Sequence, residues 1–343
     1  MKRSLHISLG LLAITMGGGV AIALVLWYGV RGIGGEVIAA AWVVAPGTAL
    51  LFGQLYLSAI AWRLACGVAQ PSTGAFLMAR WVREAVNSLL PVAQLGGNVV
   101  GVRLLARRGL AGALGALGTI LDLTVEAGTQ LVFTLEGAGL LLLYGLHVPP
   151  WLSWALLPVA LGLAGFILAQ RIGLMRLVAW LAGRLAGMFP ALTASTLGDL
   201  HGDLRRLQGN RGALRRALAL HLLTWHLGIA ETWLALAALG HPAPFAQAFA
   251  VESLGMAARS AGFAVPGALG VQEAGFILAC GLFAIPPDIA IALSVLKRLR
   301  ELTVGVPGLL AWQWSEGRHW LRRARAIPAA AAPAPSKAPE APP

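Results

Sequence analysis

The chain has 343 residues, of which 58% are hydrophobic and 12% charged, with a formal net charge of +12 and a mean hydropathy of +0.75. Soluble domains carry about 25% charged residues, so the composition excludes a soluble globular enzyme and describes a polytopic integral membrane protein. The positive excess sits between apolar runs, as the positive-inside pattern requires, and this excludes a nucleic-acid-binding role.

The first apolar run, 5–28, follows Lys2-Arg3. It exceeds the apolar core of a signal peptide, about 7–15 residues, and ends at Trp27-Tyr28 in place of a small-residue cleavage site. It is read as an uncleaved crossing with a cytoplasmic N-terminus. A second crossing is predicted over 37–62, since about 20 apolar residues span a hydrocarbon core of roughly 30 Å. Cys66 and Cys280, the two cysteines, lie in apolar surroundings and are read as buried small hydrophobes.

The next segment, 72–105, is apolar but broken at Pro91-Val-Ala-Gln-Leu-Gly96-Gly97-Asn98. Proline removes a backbone donor and glycine permits turns. Unpaired backbone in lipid costs several kcal/mol per group, so such a break belongs inside protein or beside a wet cavity. The segment is read as a re-entrant helical hairpin. A single long crossing is predicted over 110–146 and another over 151–170. The stretch 171–216 is a basic cytoplasmic linker, which also holds Asp199 and Asp203 and suits anionic lipid headgroups. A crossing at 217–239 carries His221 and His226, whose i,i+5 spacing is poor for one metal and fits core positions.

A second broken segment, 244–285, contains Pro266-Gly267-Ala-Leu-Gly270-Val-Gln272-Glu273. It is the counterpart of the first hairpin. A last crossing over 288–313 leads to 316–343, basic at first and then Ala/Pro-rich, read as a disordered cytoplasmic tail. The fold class is therefore an all-α membrane helix bundle of about six full crossings plus two re-entrant hairpins. Its halves, 1–170 and 217–315, are inverted repeats, an arrangement of membrane carriers with sites near the midplane.

The repeat extends past the breaks. Asp122 follows Pro91 at the same distance as Lys297 follows Pro266, and Glu126 and Glu301 lie four residues further on. Glu84 and Arg259 sit equally far before the two prolines. Asn98 and Gln272 are matched as the amides of the two motifs. A charge at the bilayer centre costs at least about 2.5–3.5 kcal/mol, so these groups must face a protein interior or cavity. Arg80, Arg83 and Arg300 are placed where they can snorkel to the interface. The candidate pocket residues are Glu84, Asn98, Asp122, Glu126, Arg259, Gln272, Glu273, Lys297 and Glu301. In it, Arg259 and Lys297 would hold a phosphate or other anionic headgroup. The acids would pair with them in the empty site, or handle protons or a cationic headgroup. The amides would bond a headgroup or cap a break.

Hydrolase, zinc-protease and nucleotide-binding motifs are absent. No cofactor or metal is expected. Lipids are the expected ligands, with a lipid-biosynthesis enzyme as a possible partner through the linker. Oligomeric state is left open.

The run Arg83-Glu-Ala-Val-Asn-Ser-Leu-Leu-Pro91 leading to Leu95-Gly-Gly97, the second motif Pro266 to Glu273, and Lys297-Arg-Leu-Arg-Glu301 resemble the flippase-like transmembrane region of lysylphosphatidylglycerol synthases. The ending Gly305-Val-Pro-Gly-Leu-Leu-Ala-Trp-Gln313 also suits stand-alone members associated with hopanoid biosynthesis. The resemblance covers roughly residues 10–315. It implies movement of a lipid between leaflets of a bacterial inner membrane. Full-length synthases carry a soluble aminoacyl-transferase domain after this region, and here an Ala/Pro tail follows, so lysyl transfer is not expected. A non-transporting partner of a hopanoid or other lipid-biosynthesis enzyme is the alternative, and an intramembrane lipid-modifying enzyme the second alternative.

Overall fold

The computed structural model describes residues 30–90, 96–143, 206, 207, 209–262 and 265–326. Predicted crossings 5–28 and 151–170, residues 171–205 of the linker, Pro91 and the tail beyond 326 lie outside the described residues.

Long apolar runs with few backbone-competing side chains fold as helices, which satisfy every interior backbone group within the segment. Among the described residues the protein is helical throughout, without strands. Helix α1 (Val30–Ala40) passes through a 3₁₀ turn into α2 (Val44–Cys66). The predicted hairpin 72–105 is α3 (Thr73–Leu89) and α4 (Gly96–Ala106) on either side of the break. The segment 110–146, read as a single long crossing, holds one helix, α5 (Gly112–Leu143). Helix α6 (Arg211–Ala238) starts at Asn210, whose Oδ1 accepts from the Ala213 N–H at 3.1 Å, an N-terminal cap. The second hairpin is α7 (Phe245–Ala261), a 3₁₀ turn at Pro266–Ala268, and α8 (Val271–Gly281). The last helix, α9 (Pro287–Ala326), opens on Pro287, where a missing N–H costs nothing, and runs well past the predicted end at 313.

Gly34–Cys66 is, among the described residues, the helical stretch long and apolar enough by composition alone to cross a membrane. Helices α5, α6 and α9 have 32, 28 and 40 residues, ample for roughly 30 Å. Part of their charge is buried in the bundle, at Asp122, Glu231, Lys297 and Glu301.

The two halves repeat at the level of helix ends. Adding 172 to a residue number carries Cys66 to Ala238, Thr73 to Phe245 and Leu89 to Ala261. Adding 175 carries Gly96 to Val271, Ala106 to Gly281 and Gly112 to Pro287. The break of the second hairpin is thus three residues longer, while the start of α6 and the end of α9 extend beyond their counterparts in the first half. Packing follows the same two-fold pattern. The long arm of each hairpin lies on the long helix of the other half, α3 on α9 and α7 on α5, while α2 and α6 pack along each other between them. Small residues permit these close approaches. Gly305 and Gly308 of α9 receive Leu89, Ala85 and Trp81 of α3, and Gly137 of α5 receives Ser253 of α7. Two large apolar cores result among the described residues, with two small clusters beside them. One core gathers around Trp62, Phe76, Leu105 and Leu117, the other around Phe133, Leu236, Phe276 and Ile291.

Candidate functional site

The arms α3 and α7 meet around a cavity of about 580 Å³. Arg80, Arg83, Glu84, Asn87 and Ser88 line it from α3, and Glu252, Met256, Arg259 and Ser260 from α7. Helices α5 and α9 add Glu126, Gln130, Arg300 and Glu301, while α2 adds Gln54 and Ser58. Under the repeat, Arg80 corresponds to Glu252, Glu84 to Met256, Asn87 to Arg259, Ser88 to Ser260 and Glu126 to Glu301. Both members of each of these pairs line the cavity, so it sits on the axis relating the halves.

Beside the cavity lies a first charge network. Arg83 reaches Asp122 Oδ2 at 3.0 Å and Glu126 Oε2 at 2.9 Å. Arg80 pairs with the same two carboxylates, with its Nη1 3.4 Å from Asp122 Oδ2. Asp122 is fully buried, and its other oxygen lies 2.9 Å from His221 Nε2. The Arg83 guanidinium also lies 5.4 Å from the Trp62 ring centroid.

A second network occupies the other half. Lys297 Nζ is 2.8 Å from Glu252 Oε2 and 3.5 Å from Glu231 Oε2. Glu231 also takes Arg300, and Thr232 donates to Glu252 at 2.6 Å. Glu301 gathers Arg259 at 2.6 Å and Arg298 at 3.2 Å. Arg298 continues to Glu273 at 3.3 Å, whose other oxygen accepts the Gly270 N–H at 2.7 Å. Glu273 thereby caps the start of α8 as well as balancing a charge. Each network holds as many acids as bases, which offsets the large cost of removing either from water.

One correspondence stands out chemically. Arg80 on the first arm faces Asp122, and Glu252 on the second arm faces Lys297. Position for position, the sign of both partners is exchanged. Each break is also bridged at equivalent positions. The Gly97 N–H donates to Asn87 Oδ1 at 2.9 Å, and Arg259 donates to Gln272 Oε1. Gly97 admits no side chain, because an added Cβ would lie 2.2 Å from the Arg83 carbonyl oxygen. Gly267 has φ of +60°, which L residues avoid, and its face abuts the Ser88 carbonyl of the first hairpin. Gly270 is likewise left-handed, at φ +77°.

Of the predicted pocket residues, Glu84, Asn98, Glu126, Arg259 and Glu301 line the cavity, together with the unpredicted Arg80 and Arg83. Asp122, Gln272, Glu273 and Lys297 stand behind them, holding the lining groups. Lys297 does not join Arg259 in the cavity wall as expected, because Glu252 and Glu231 clamp it at 2% exposure. Arg80 and Arg83 do not snorkel. They are 5% and 3% exposed, because their face of α3 looks onto the carboxylates of α5. Arg300 is likewise tied to Glu231. Two matches shift register. Asn98 corresponds to Glu273 and Gln272 to Gly97, while Arg259 corresponds to Asn87 and Glu84 to Met256. Spacing counted from proline misaligns the arms because the breaks differ in length. His221, read as a core residue, is buried but also contacts Asp122, and no local spacing announces it.

The family model for the lysylphosphatidylglycerol synthase TM region matches residues 8–308. The chain belongs to this family. It is an all-α membrane helix bundle, and its family ties it to lipid-related function. No curated protein and no solved structure matches the chain significantly.

Proposed function

We propose that this protein carries a lipid between the leaflets of a bacterial inner membrane, binding its headgroup in the cavity between the two hairpins while the tails stay in the bilayer. The observation that supports this most directly is the position of the cavity. It lies on the axis of an internal repeat, walled by equivalent residues of the two arms and rich in buried, balanced charge. Carriers built from repeated halves place their sites there and expose them by rocking one half against the other. In this reading the two breaks enter from opposite faces of the membrane, with both termini cytoplasmic.

Arg259 is the group placed to receive a headgroup phosphate. It lines the cavity and is held by Glu301 and Gln272, partners that a phosphate would replace through paired hydrogen bonds. The protein acts as a carrier, without lysyl transfer or other covalent chemistry. Hopanoid-related lipids and modified phospholipids are the cargoes to examine first.

The test is leaflet accessibility of tail-labelled lipids in sealed proteoliposomes. Exchange should be faster with wild type than in protein-free vesicles and lost in Arg259→Ala. Folded wild-type protein that exchanges none of the lipids, or a variant that exchanges them normally, overturns the assignment.

A further inference from the structure

The charged residues lining the cavity are not all paired. Arg80 and Arg83 are paired with Glu126, Arg259 with Glu301, Glu252 with Lys297, and Arg300 with Glu231 and Glu301. Glu84 alone among the described charged lining residues makes no ion pair. Its carboxylate accepts one hydrogen bond, from Ser88 Oγ at 3.2 Å one turn further along α3. The repeat deepens the anomaly. The equivalent position on the second arm is Met256, so Glu84 has no symmetry mate. Gln130 lines the same cavity, is 7% exposed, and its Oε1 has no hydrogen-bond partner. Once the groups behind the wall are counted with the lining charges they pair, Glu84 is the one carboxylate left over, and with Gln130 it offers the cavity two acceptors without a cationic donor.

We propose that Glu84 is a proton-binding site, and that its proton travels with the lipid, which links transport to a proton gradient. The inference rests on the carrier reading above. A proton fits better than a metal ion, because among the described residues no three His, Cys, Asp or Glu side chains converge. The cycle balances in charge and atoms. A proton enters the cavity from one side and adds to a Glu84 oxygen, giving a neutral carboxyl that can donate to Ser88 or to a bound headgroup. After reorientation the O–H bond breaks and the proton leaves on the other side. The charged groups that share the cavity with Glu84 are Arg80 and Arg83 on its own arm, Glu126 on α5, Glu252 and Arg259 on α7, and Arg300 and Glu301 on α9. Each of these already has an ion-pair partner, and Glu84 has none.

The experiment uses the full chain in sealed vesicles with tail-labelled phosphatidylglycerol, whose headgroup has no amine. The readout is the final leaflet distribution under an imposed pH difference. One proton coupled to one lipid gives up to about a tenfold leaflet asymmetry for one pH unit, since about 1.4 kcal/mol is a factor of ten. Glu84→Gln should leave the distribution even, and Glu84→Asp should restore the asymmetry. In parallel, infrared difference spectra of the purified protein should show a protonated-carboxyl band on acidification that Glu84→Gln removes. An even distribution in wild type that exchanges lipid overturns the proton proposal and leaves the carrier reading standing. A titrating band lost in Glu84→Gln without any lipid exchange keeps the proton site and rejects the carrier. A band unchanged in Glu84→Gln overturns the proposal. In a matched set of vesicles with tail-labelled phosphatidylethanolamine, loss of exchange in Glu84→Gln for that lipid alone, with no gradient effect, also overturns it and assigns the carboxylate to a ligand ammonium group.

Discussion

In the first half of the molecule an arginine on the hairpin arm faces carboxylates on the long helix. In the second half, at equivalent positions, a carboxylate on the arm faces a lysine. The packing between these elements is otherwise matched, down to the helix ends that flank the two breaks. Pairing has been preserved and polarity has not. The Coulomb energy of an ion pair is unchanged when both signs are exchanged, and so is the need to pair a charge once it leaves water. The function common to both sites is therefore to fasten an arm to its long helix. What differs is the potential each half shows the cavity.

Four measurements would break or sharpen this comparison. The largest effect is expected at Asp122, which serves Arg80, Arg83 and His221 together. Asp122→Ala strands buried cations and should cost about 3–5 kcal/mol, read as a loss of stability in detergent unfolding. A cost near zero would show that the first network is not fastened as described. Next, Glu252→Arg and Lys297→Asp together give the second half the polarity of the first. Each single change should destabilise, and the pair should recover with a coupling of about 1–3 kcal/mol in a double-mutant cycle. Additive losses would remove the claim that the sign is interchangeable. At the breaks, Gly97→Ala should cost about 1–3 kcal/mol through collision with the Arg83 carbonyl. Gln272→Ala, at the equivalent place, should cost only about 1 kcal/mol for a lost hydrogen bond. The reverse order of these two would contradict the alignment of the hairpins.

The smallest effect is expected beyond the predicted crossing 288–313. Glu316 lies 2.7 Å from Arg107 and 3.3 Å from Arg103, linking the end of α9 to α4. Its slight burial would raise the carboxyl, but the hydrogen bond from Arg107 and the charges of Arg103 and Arg107 hold it below the usual range. A carboxyl depressed in the folded state adds stability above its unfolded pKa, and that stability fades as the pH falls through the folded value. Glu316→Gln should change stability by less than about 1 kcal/mol, as for exposed pairs, and should flatten this acid-side slope. A pH-stability profile that is unchanged would show the contact to be idle.

The hairpins and the matched pairs Asp122 with Lys297 and Glu126 with Glu301 were legible in the sequence, because proline and glycine punctuate apolar runs and the spacing after each break is conserved within the chain. The arms were harder. Arg80 and Glu252 precede breaks of unequal length, so counting from proline hides their equivalence. Their opposite signs also defeat any search for similar residues. Asp122 drew attention as a charge in an apolar run, but its contact with His221 joins helices 99 residues apart. Such a contact follows from the packing of α5 on α6 and from no local pattern. The distinction between lining and supporting residues has the same origin. Glu273 and Lys297 carry the same charge-bearing signal as Glu84 and Arg259, and only the packing of α8 and α9 shows which pair is enclosed.

The balance of each network within its own half bears on how the chain is made. Arg80, Arg83, Asp122 and Glu126 all precede residue 144, and their mutual pairing needs nothing that is translated later. A nascent first half can leave the translocon with these ions already neutralised against one another, and need not wait in a polar channel for the second half. The later half repeats the event with its own complement of acids and bases. Assembly is then left to join two pieces whose networks are already balanced, through apolar ridges, the imidazoles of His221 and His226 on Asp122 and Glu136, and the late contact of Glu316 with Arg103 and Arg107.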